Sequence, residues 1–180
     1  DAGLRHLAGL AGIVDLDLFW HVTGITARGF AHLVDLPNLA VLGADGKLSD
    51  DGAMREMAAM PRLRRLRAQE STASDAGFEA LSRSRTLEAF WGRECPNFAS
   101  RGFIALSKLA TLRDLGIGCR QVDDAALARF PDFPALRALT PIGVADPGFR
   151  HIGRCQRLGR LTCMYCRDTP DTAAGHVGNL

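Results

Sequence analysis

The sequence predicts an α/β solenoid, with parallel strands on one face and helices on the other. Three observations support this prediction: an apolar string recurs about every 24 residues, a helix-start signal follows it, and the helix ends just before the next string. A repeat of this length is typical of solenoids, because each unit buries its apolar side only against its neighbours.

The predicted strands are short strings that align with one another. They begin at Leu39 (LAVLGA), Leu63 (LRRLRA), Leu87 (LEAFWG), Leu112 (LRDLGI), Leu136 (LRALTP) and Leu158 (LGRLTC). A weaker copy, IVDLDL, begins at Ile13 and predicts the first strand. In the unit that begins at Leu39, Leu42 and Ala44 are two residues apart, which is the period of a strand with one buried face. Side chains at positions 2, 3, 5, 7 and 8 of each unit are therefore expected on the opposite, open face.

The predicted helices begin after a polar turn. In the unit of Leu39, residues 49–52 (SDDG) precede an apolar run from Ala53 to Met60 at helical spacing, and Pro61 ends it. Comparable starts are Gly29-Phe30, Gly77-Phe78, Gly102-Phe103, Ala126-Leu127 and Gly148-Phe149. We expect the recurrent first-turn glycine to leave room for the neighbouring coil. Strand, turn and helix in repetition predict right-handed crossovers, with strands on the concave face and helices on the convex face.

The pattern LxxLxL, a loop, a helix start of the type I-T/S-D-x-G-F/L and then LxxLP resembles leucine-rich repeat proteins. The resemblance is closest to the helix-bearing kind, either ribonuclease-inhibitor-like or cysteine-containing. It covers residues 3–175 and implies one domain over residues 1–180, with about seven repeats of ~24 residues. Neither end has a polar cap, which solenoids need. We therefore expect a fragment of a longer chain, or else a homo-oligomer that covers the uncapped ends.

This family often places an inward-pointing Cys or Asn at position 9, where it bonds the loop backbone. Cys95 and Cys166 stand at that position. The match departs from the family pattern at Lys47, Ser71 and Arg120. We therefore expect an irregular inner ladder.

Composition excludes several classes of function. The net charge of +2 does not favour nucleic acid or acidic membranes, and no apolar run reaches the ~18–20 residues of a membrane helix. The five cysteines are odd in number and irregularly spaced, which fits reduced thiols in the cytoplasm better than a disulfide framework. Arginine greatly outnumbers lysine and Ala and Gly are abundant, which indicates a GC-rich, bacterial genome.

Catalytic motifs are absent from the sequence, which has no P-loop, GxSxG elbow or HExxH. We therefore expect neither an enzyme nor a cofactor. The best metal candidates are His151, Cys155, Cys163 and Cys166. The repeat register accounts for them without a metal, because Cys163 falls at the buried position 6, Cys166 at position 9 and Cys155 at a core position.

Trp91 is the leading binding residue, since it stands at position 5 near the middle of the array with Arg67 and Arg93 beside it. A central tryptophan with arginine neighbours is the composition of an interface hot spot. The alternative is that Trp91 merely covers neighbouring side-chain stems. The predicted partner-binding residues of the concave face are Asp17, Phe19, Trp20, Arg65, Arg67, Trp91, Arg93, Glu94 and Tyr165. Asp15 and Asp17 are expected to form a solvated acidic patch roughly 10 Å, two strand spacings, from the basic one.

The sequence therefore predicts a protein-binding repeat module that captures a partner on its concave sheet. The resemblance supports this function, because leucine-rich repeat proteins bind other proteins through that face. An alternative is the substrate-recognition segment of a larger ligase-type effector or enzyme, whose catalytic domain lies outside this chain. A third, less favoured possibility is a binder of nucleic acid or small anions through the arginines of residues 62–67.

Overall fold

The computed structural model describes residues 1–18, 24–166, 169, 171–178 and 180. In this part of the chain, seven parallel strands form one sheet in sequence order. They are β1 (Asp15–Leu18), β2 (Val41–Ala44), β3 (Arg65–Arg67), β4 (Ala89–Gly92), β5 (Asp114–Gly118), β6 (Ala138–Ile142) and β7 (Arg160–Leu161). Each strand lies within its predicted string, except that β5 and β6 run one residue beyond theirs, so the predicted strand positions are confirmed.

Helices connect the strands and cover one face of the sheet. They are α1 (Ala2–Arg5), α2 (Ala27–Ala31), α3 (Asp51–Ala59), α4 (Asp75–Leu81), α5 (Ser100–Leu106), α6 (Asp124–Leu127), α7 (Asp146–Ile152) and α8 (Thr172–Val177). Short 3₁₀ turns occupy Gly46–Ser49 and Phe130–Asp132. A parallel pair of consecutive strands requires such a crossover, and repeating it produces the predicted α/β solenoid, with strands on the concave face and helices on the convex face.

The core lies between the sheet and the helices. Position 4 of the strands supplies Leu42, Leu66, Phe90, Leu115 and Leu139, all buried. Phenylalanines fill the space beneath the helices, with ring centroids 4.4 Å apart for Phe78–Phe98 and 4.9 Å apart for Phe103–Phe130. Such aromatic pairs add about 0.5–1.5 kcal/mol to the stabilisation from burial itself.

The first-turn glycines make room for a neighbouring aspartate, as the sequence predicts. A Cβ on Gly77 would stand 2.5 Å from Asp51 Oδ1, and one on Gly102 would stand 2.7 Å from Asp75 Oδ1. The Asp51 carboxylate accepts hydrogen bonds from the Ser74 backbone N–H at 2.6 Å and from the Ser74 hydroxyl at 2.7 Å. Each aspartate thus ties the start of one helix to the start of the next.

Position 8 has left-handed backbone geometry in the repeats that begin at Leu39, Leu63, Leu87, Leu136 and Leu158. Glycine provides it at Gly46 (φ 61°) and Gly143 (φ 69°), where it costs nothing. Glu70 and Glu94 adopt the same conformation with φ of 56°, and Tyr165 with φ of 51°. These three residues carry side chains where the backbone favours glycine, which strains the backbone locally.

At position 9, Lys47 and Arg120 are exposed, which fits the expected irregular ladder, but Ser71 does not interrupt it. Ser71 is fully buried, and its hydroxyl donates to the Ser49 carbonyl at 2.6 Å. The thiols of Cys95 and Cys166 donate to the carbonyls of Ala68 and Pro141, each at 3.8 Å. Ser71 therefore does not interrupt the ladder, because its hydroxyl makes the same kind of bond to loop backbone.

Two expectations about cysteines have different outcomes. Cys155 is buried, as predicted. The prediction for Cys163 is wrong, because this residue is exposed. Cys163 follows β7, the last strand of the sheet, and no further strand of the described part covers its side.

Within the described part of the chain, every helix is too short or too polar to cross a membrane.

Candidate functional site

Two columns of side chains cross the concave face at right angles to the strands. The third-position column consists of Asp15, Val41, Arg65, Ala89, Asp114, Ala138 and Arg160. The fifth-position column consists of Asp17, Gly43, Arg67, Trp91, Gly116 and Thr140. Neighbouring members of a column are paired residues of adjacent strands, about 4.8 Å apart.

Arg67 reaches across a whole strand to bind the acidic residues of β1. Its Nη2 is 2.5 Å from Asp17 Oδ2 and 3.6 Å from Asp15 Oδ1. The intervening residue is Gly43, and a Cβ there would collide with the Asp17 carboxylate. Sequence reasoning expected separate acidic and basic patches from the backbone spacing. Instead they form one ion-paired group, because the long arginine side chain crosses the spacing.

Other arginines of this face are paired in the same way. Arg160 Nη2 is 2.6 Å from Asp114 Oδ2 across the small residue Ala138, and Arg64 Nη1 is 2.9 Å from Glu88 Oε1. Arg65 is exposed and, within the described residues, makes no ion pair. Of the four arginines in residues 62–67, Arg64 and Arg67 are therefore paired with acidic residues of the same chain.

Asp45 lies at the end of this face, after β2. Burial raises the pKa of its carboxyl, and the hydrogen bond from the Gln69 backbone N–H, at 2.9 Å, partly offsets that effect. The charge of Asp17 also raises this pKa, and that of Arg67 lowers it. The charges of Asp17 and Arg67 therefore act on the Asp45 carboxyl in opposite directions.

Trp91 is half-buried and lies across Gly116 of β5, where a Cβ would collide with the indole ring. It also borders a groove of about 580 Å³ on the concave face. The groove is lined chiefly by Asp15, Arg65, Arg67, Ala89, Trp91 and Asp114. One part of the Trp91 side chain therefore covers backbone and another lines an open groove, and its role in binding stays a prediction.

Three of the predicted binding residues lie outside this groove, on the loops after the strands. Arg93 Nη1 donates to Tyr165 Oη at 3.4 Å, and the guanidinium carbon is 5.7 Å from the centre of that ring. Arg93 Nε is buried 3.5 Å from Glu94 Oε1 and finds no hydrogen-bond partner among the described residues. Glu94 and Tyr165 border a separate cavity of about 300 Å³, together with Arg120.

The predicted site thus divides into two. Arg65, Arg67 and Trp91 meet at the groove, and Asp17 holds Arg67 in place there. Phe19 and Trp20 lie outside the described residues. Sequence reasoning did not select Gly43 and Gly116, although a glycine at the outward position of a strand is a known sign of close approach by a neighbour.

In the cysteine-rich segment of residues 151–166, His151 and Cys155 bond to other groups of the chain. The described residues contain no group of three or more His, Cys, Asp or Glu side chains placed to hold a metal ion. The Cys155 thiol donates to the His151 carbonyl at 3.6 Å, and His151 Nε2 lies 2.9 Å from Asp124 Oδ1. Burial raises the pKa of Cys95, Cys119 and Cys155 to about 12, which keeps these thiols protonated at neutral pH.

Neither protein-family models nor curated proteins match this sequence. Among solved structures, the chain is similar to an internalin (InlF) from Listeria monocytogenes, at 14% identity with a TM-score of 0.50. That match covers 98% of this chain and 62% of the internalin. The chain is also similar to TLR13 in its complex with ssRNA13, at 15% identity with a TM-score of 0.43, over 78% of this chain and 30% of TLR13. The chain thus spans less than two thirds of either protein, and at these identities the likeness concerns the fold alone.

Proposed function

Since the chain folds as a leucine-rich repeat solenoid, we propose that it is a protein-binding module that captures a partner in the groove of its concave face. The observation that carries this proposal is the half-buried Trp91 beside Arg65 and Arg67 in one groove. Trp and Arg are enriched among the residues that dominate binding energy, and such residues lie in well-packed central pockets. The other contact residues of the proposal are Asp17, Phe19, Trp20, Arg93, Glu94 and Tyr165.

The charges of the groove favour a protein over a nucleic acid. Nucleic-acid sites need a continuous basic surface facing the phosphates. Here Asp15 and Asp114 line the groove, and Arg67 is already bound to Asp15 and Asp17. A protein partner can meet such a mixed surface with charges of both signs.

The proposed module binds without catalysis of its own. If the full-length gene also encodes a ligase or another catalytic segment, the module would be the recognition part of that enzyme. All five cysteines are free thiols, which supports a reducing, cytoplasmic location.

Affinity capture from the native cell, followed by binding measurements with the purified partner, tests the proposal. We expect Trp91→Ala to weaken binding by roughly thirtyfold or more, since hot-spot truncations cost about 2 kcal/mol or more. Arg101→Ala on the convex helix α5 is the matched control and should bind as the unaltered protein does. Normal binding by a folded Trp91→Ala variant would exclude the groove as the binding site.

A further inference from the structure

Charge is segregated between the two edges of the sheet. One edge carries the turns that lead from a helix into the next strand, at residues 60–64, 82–88, 107–113, 128–137 and 153–159. These five turns are named the basic edge, because they contain ten basic residues and only two acidic ones. The net charge of +2 for the whole chain therefore conceals a strongly positive edge.

The opposite edge has the reverse composition. It carries the loops that lead from a strand into the next helix, at residues 45–51, 68–75, 93–99, 119–124 and 143–146, with nine acidic residues and three basic ones. Because all seven strands are parallel, turns of one kind lie at one edge of the sheet. Like charges therefore follow one another along each edge.

Every turn of the basic edge contributes two basic residues, and all ten are exposed. Arg64 Nη1 is 2.9 Å from Glu88 Oε1. Arg129 Nη1 is 3.0 Å from Asp132 Oδ2. Two other arginines of the edge donate to backbone carbonyls. The remaining six have no ion pair within the described residues: Arg62, Arg83, Arg85, Lys108, Arg113 and Arg154.

The basic edge lacks the apolar groups that several kinds of partner need. The exposed large hydrophobic side chains of the described part are Leu10, Val14, Tyr165 and Leu180, and none of them belongs to this edge. A protein interface is centred on buried apolar or aromatic anchors, and an interfacial membrane protein gains affinity by burying apolar side chains among the lipids. A phosphate backbone needs only exposed positive charge.

We infer that the basic edge binds a nucleic-acid duplex through its phosphate backbone, without reading the base sequence. The edge is separate from the groove, so this inference does not rest on the proposed protein-binding function. A duplex is favoured over a single strand, because single-strand sites stack bases on exposed aromatic rings. The two aromatic residues of the edge, Phe130 and Phe133, are buried. The forked guanidinium groups of its arginines suit phosphate oxygens.

The number of turns sets the length of the contact. Neighbouring strands lie about 4.8 Å apart and packed helices about 8–10 Å apart, and the turns lie between these two layers. Five turns therefore span roughly 20–40 Å, which corresponds to about 6–12 base pairs of a duplex. One strand of such a stretch offers about as many phosphates as the edge offers basic residues.

Fluorescence anisotropy with a labelled DNA duplex of about 20 base pairs, longer than this footprint, tests the inference. We expect the slope of log K against log salt concentration to be about −5 to −7, because six to eight unpaired basic residues displace counterions. A DNA duplex of unrelated sequence and an RNA duplex should bind with similar affinity, since phosphate contacts carry no sequence information.

Reversing two charges tests the assignment to the basic edge. Arg83→Glu/Arg85→Glu removes two phosphate contacts, so the salt slope should become shallower by about 2 and binding at about 50 mM salt should weaken roughly tenfold or more. Lys108→Gln/Arg113→Gln removes two contacts in the next turn and should change the slope by the same amount. Circular dichroism checks that the variants remain folded.

The matched control is Arg28→Glu/Arg55→Glu. It makes the same change in net charge as the first variant, at exposed residues of helices α2 and α3 that lie away from the basic edge. We expect it to keep the salt slope of the unaltered chain.

Absence of duplex binding at about 50 mM salt would overturn the inference. So would equal weakening by the edge variants and the control. Tighter binding of single-stranded DNA, polyglutamate or phosphatidylserine vesicles than of the duplex would also overturn it, because the edge would then serve another class of ligand. None of these results bears on the groove, whose proposed function is tested by Trp91-dependent capture.

Discussion

The indole ring of Trp91 lies across the backbone of Gly116, the residue paired with it on the next strand. Asp17 and Gly43 have the same relationship at the other end of the sheet. In both cases a missing side chain on one strand lets a large or charged side chain of the preceding strand lie along the sheet. The two glycines thus determine the direction of the binding side chains, although neither glycine could contact a partner through a side chain.

Replacing Gly116 with Ala should displace the Trp91 indole, because the added Cβ occupies its place. In a Trp20→Phe background, which leaves Trp91 as the only indole fluorophore, we expect a red shift of the emission and weaker partner binding. Gly118→Ala is the control, since a Cβ there would meet the Glu94 backbone nitrogen at 3.5 Å, an ordinary contact. An unchanged emission spectrum in Gly116→Ala would contradict the observed indole placement.

The ion pair between Asp17 and Arg67 should contribute modestly to stability. Their side chains are 26% and 46% exposed, so solvent screens the pair and a coupling energy of about 0.2–1 kcal/mol is expected. A double-mutant cycle with Asp17→Asn and Arg67→Gln, measured by urea unfolding, gives this value, which should fall with salt. The Glu79–Arg101 pair, with side chains 42% and 73% exposed, is the control and should couple less. Equal coupling in both pairs would refute the role of partial burial.

The architecture was predictable because each repeat carries its own periodic signal. Leucine strings such as LRRLRA at Leu63 predict strands, and the burial of Leu66 and Ala68 confirms the register. Register assigns each side chain to a face of the sheet. It could therefore place Trp91 and Arg67 side by side on the concave face.

Register does not give the direction or reach of a side chain within that face. The link from Arg67 to Asp17 depends on an arginine long enough to cross β2 and on the absence of a side chain at Gly43. The contact of Arg93 with Tyr165 joins loops 72 residues apart in the chain, which no local pattern encodes. The exposure of Cys163 likewise depends on the lack of a covering strand rather than on its position in the repeat.

Ser71 should tolerate cysteine better than alanine. Its buried hydroxyl donates to the Ser49 carbonyl at 2.6 Å and accepts from the Ala73 N–H at 3.2 Å. Ser71→Ala removes both of these bonds but keeps the one from the Ala73 N–H to the Ser49 carbonyl, at 3.1 Å, and should lower the free energy of unfolding by about 0.5–1.5 kcal/mol. Ser71→Cys should cost less, because Cys95 makes the equivalent bond one repeat later. Denaturant unfolding measures both, and equal losses would show that the hydrogen bonds contribute nothing.

The buried thiols should make the fold sensitive to alkaline pH. Burial raises the pKa of Cys95, Cys119 and Cys155 from 9.0 to about 12. A raised pKa in the folded state means that the contribution of each thiol is complete below its unfolded pKa. It is lost as the pH rises from about 9 towards 12.

The melting temperature should therefore fall as the pH rises above 9. Cys119→Ala should reduce this pH dependence, while Cys163→Ser, a change at an exposed thiol, should preserve most of it. A melting temperature that stays constant between pH 8 and about 10.5 would show that these thiols do not oppose ionisation in the folded state.

Glycine at Glu70 should stabilise the protein. Glu70 has a φ of 56°, where a side chain strains the backbone. Relief of that strain exceeds the entropy cost of a glycine in the unfolded chain, which leaves a net gain of about 0.5–1 kcal/mol. Glu56→Gly within helix α3 is the control and should lose about 1 kcal/mol. A loss of stability in Glu70→Gly would show that the glutamate side chain makes contacts worth more than the strain.

Glu94 should respond differently, because it has the same φ of 56° and borders the loop cavity beside Arg93. Glu94→Gly should gain a similar amount of stability and weaken partner binding, since it removes an acidic group from the proposed contact surface. Stability and affinity would then change in opposite directions at this position, and stability alone would change at Glu70. Unfolding and binding measured on the same preparations test this, and unchanged affinity in Glu94→Gly would remove Glu94 from the proposed contact surface.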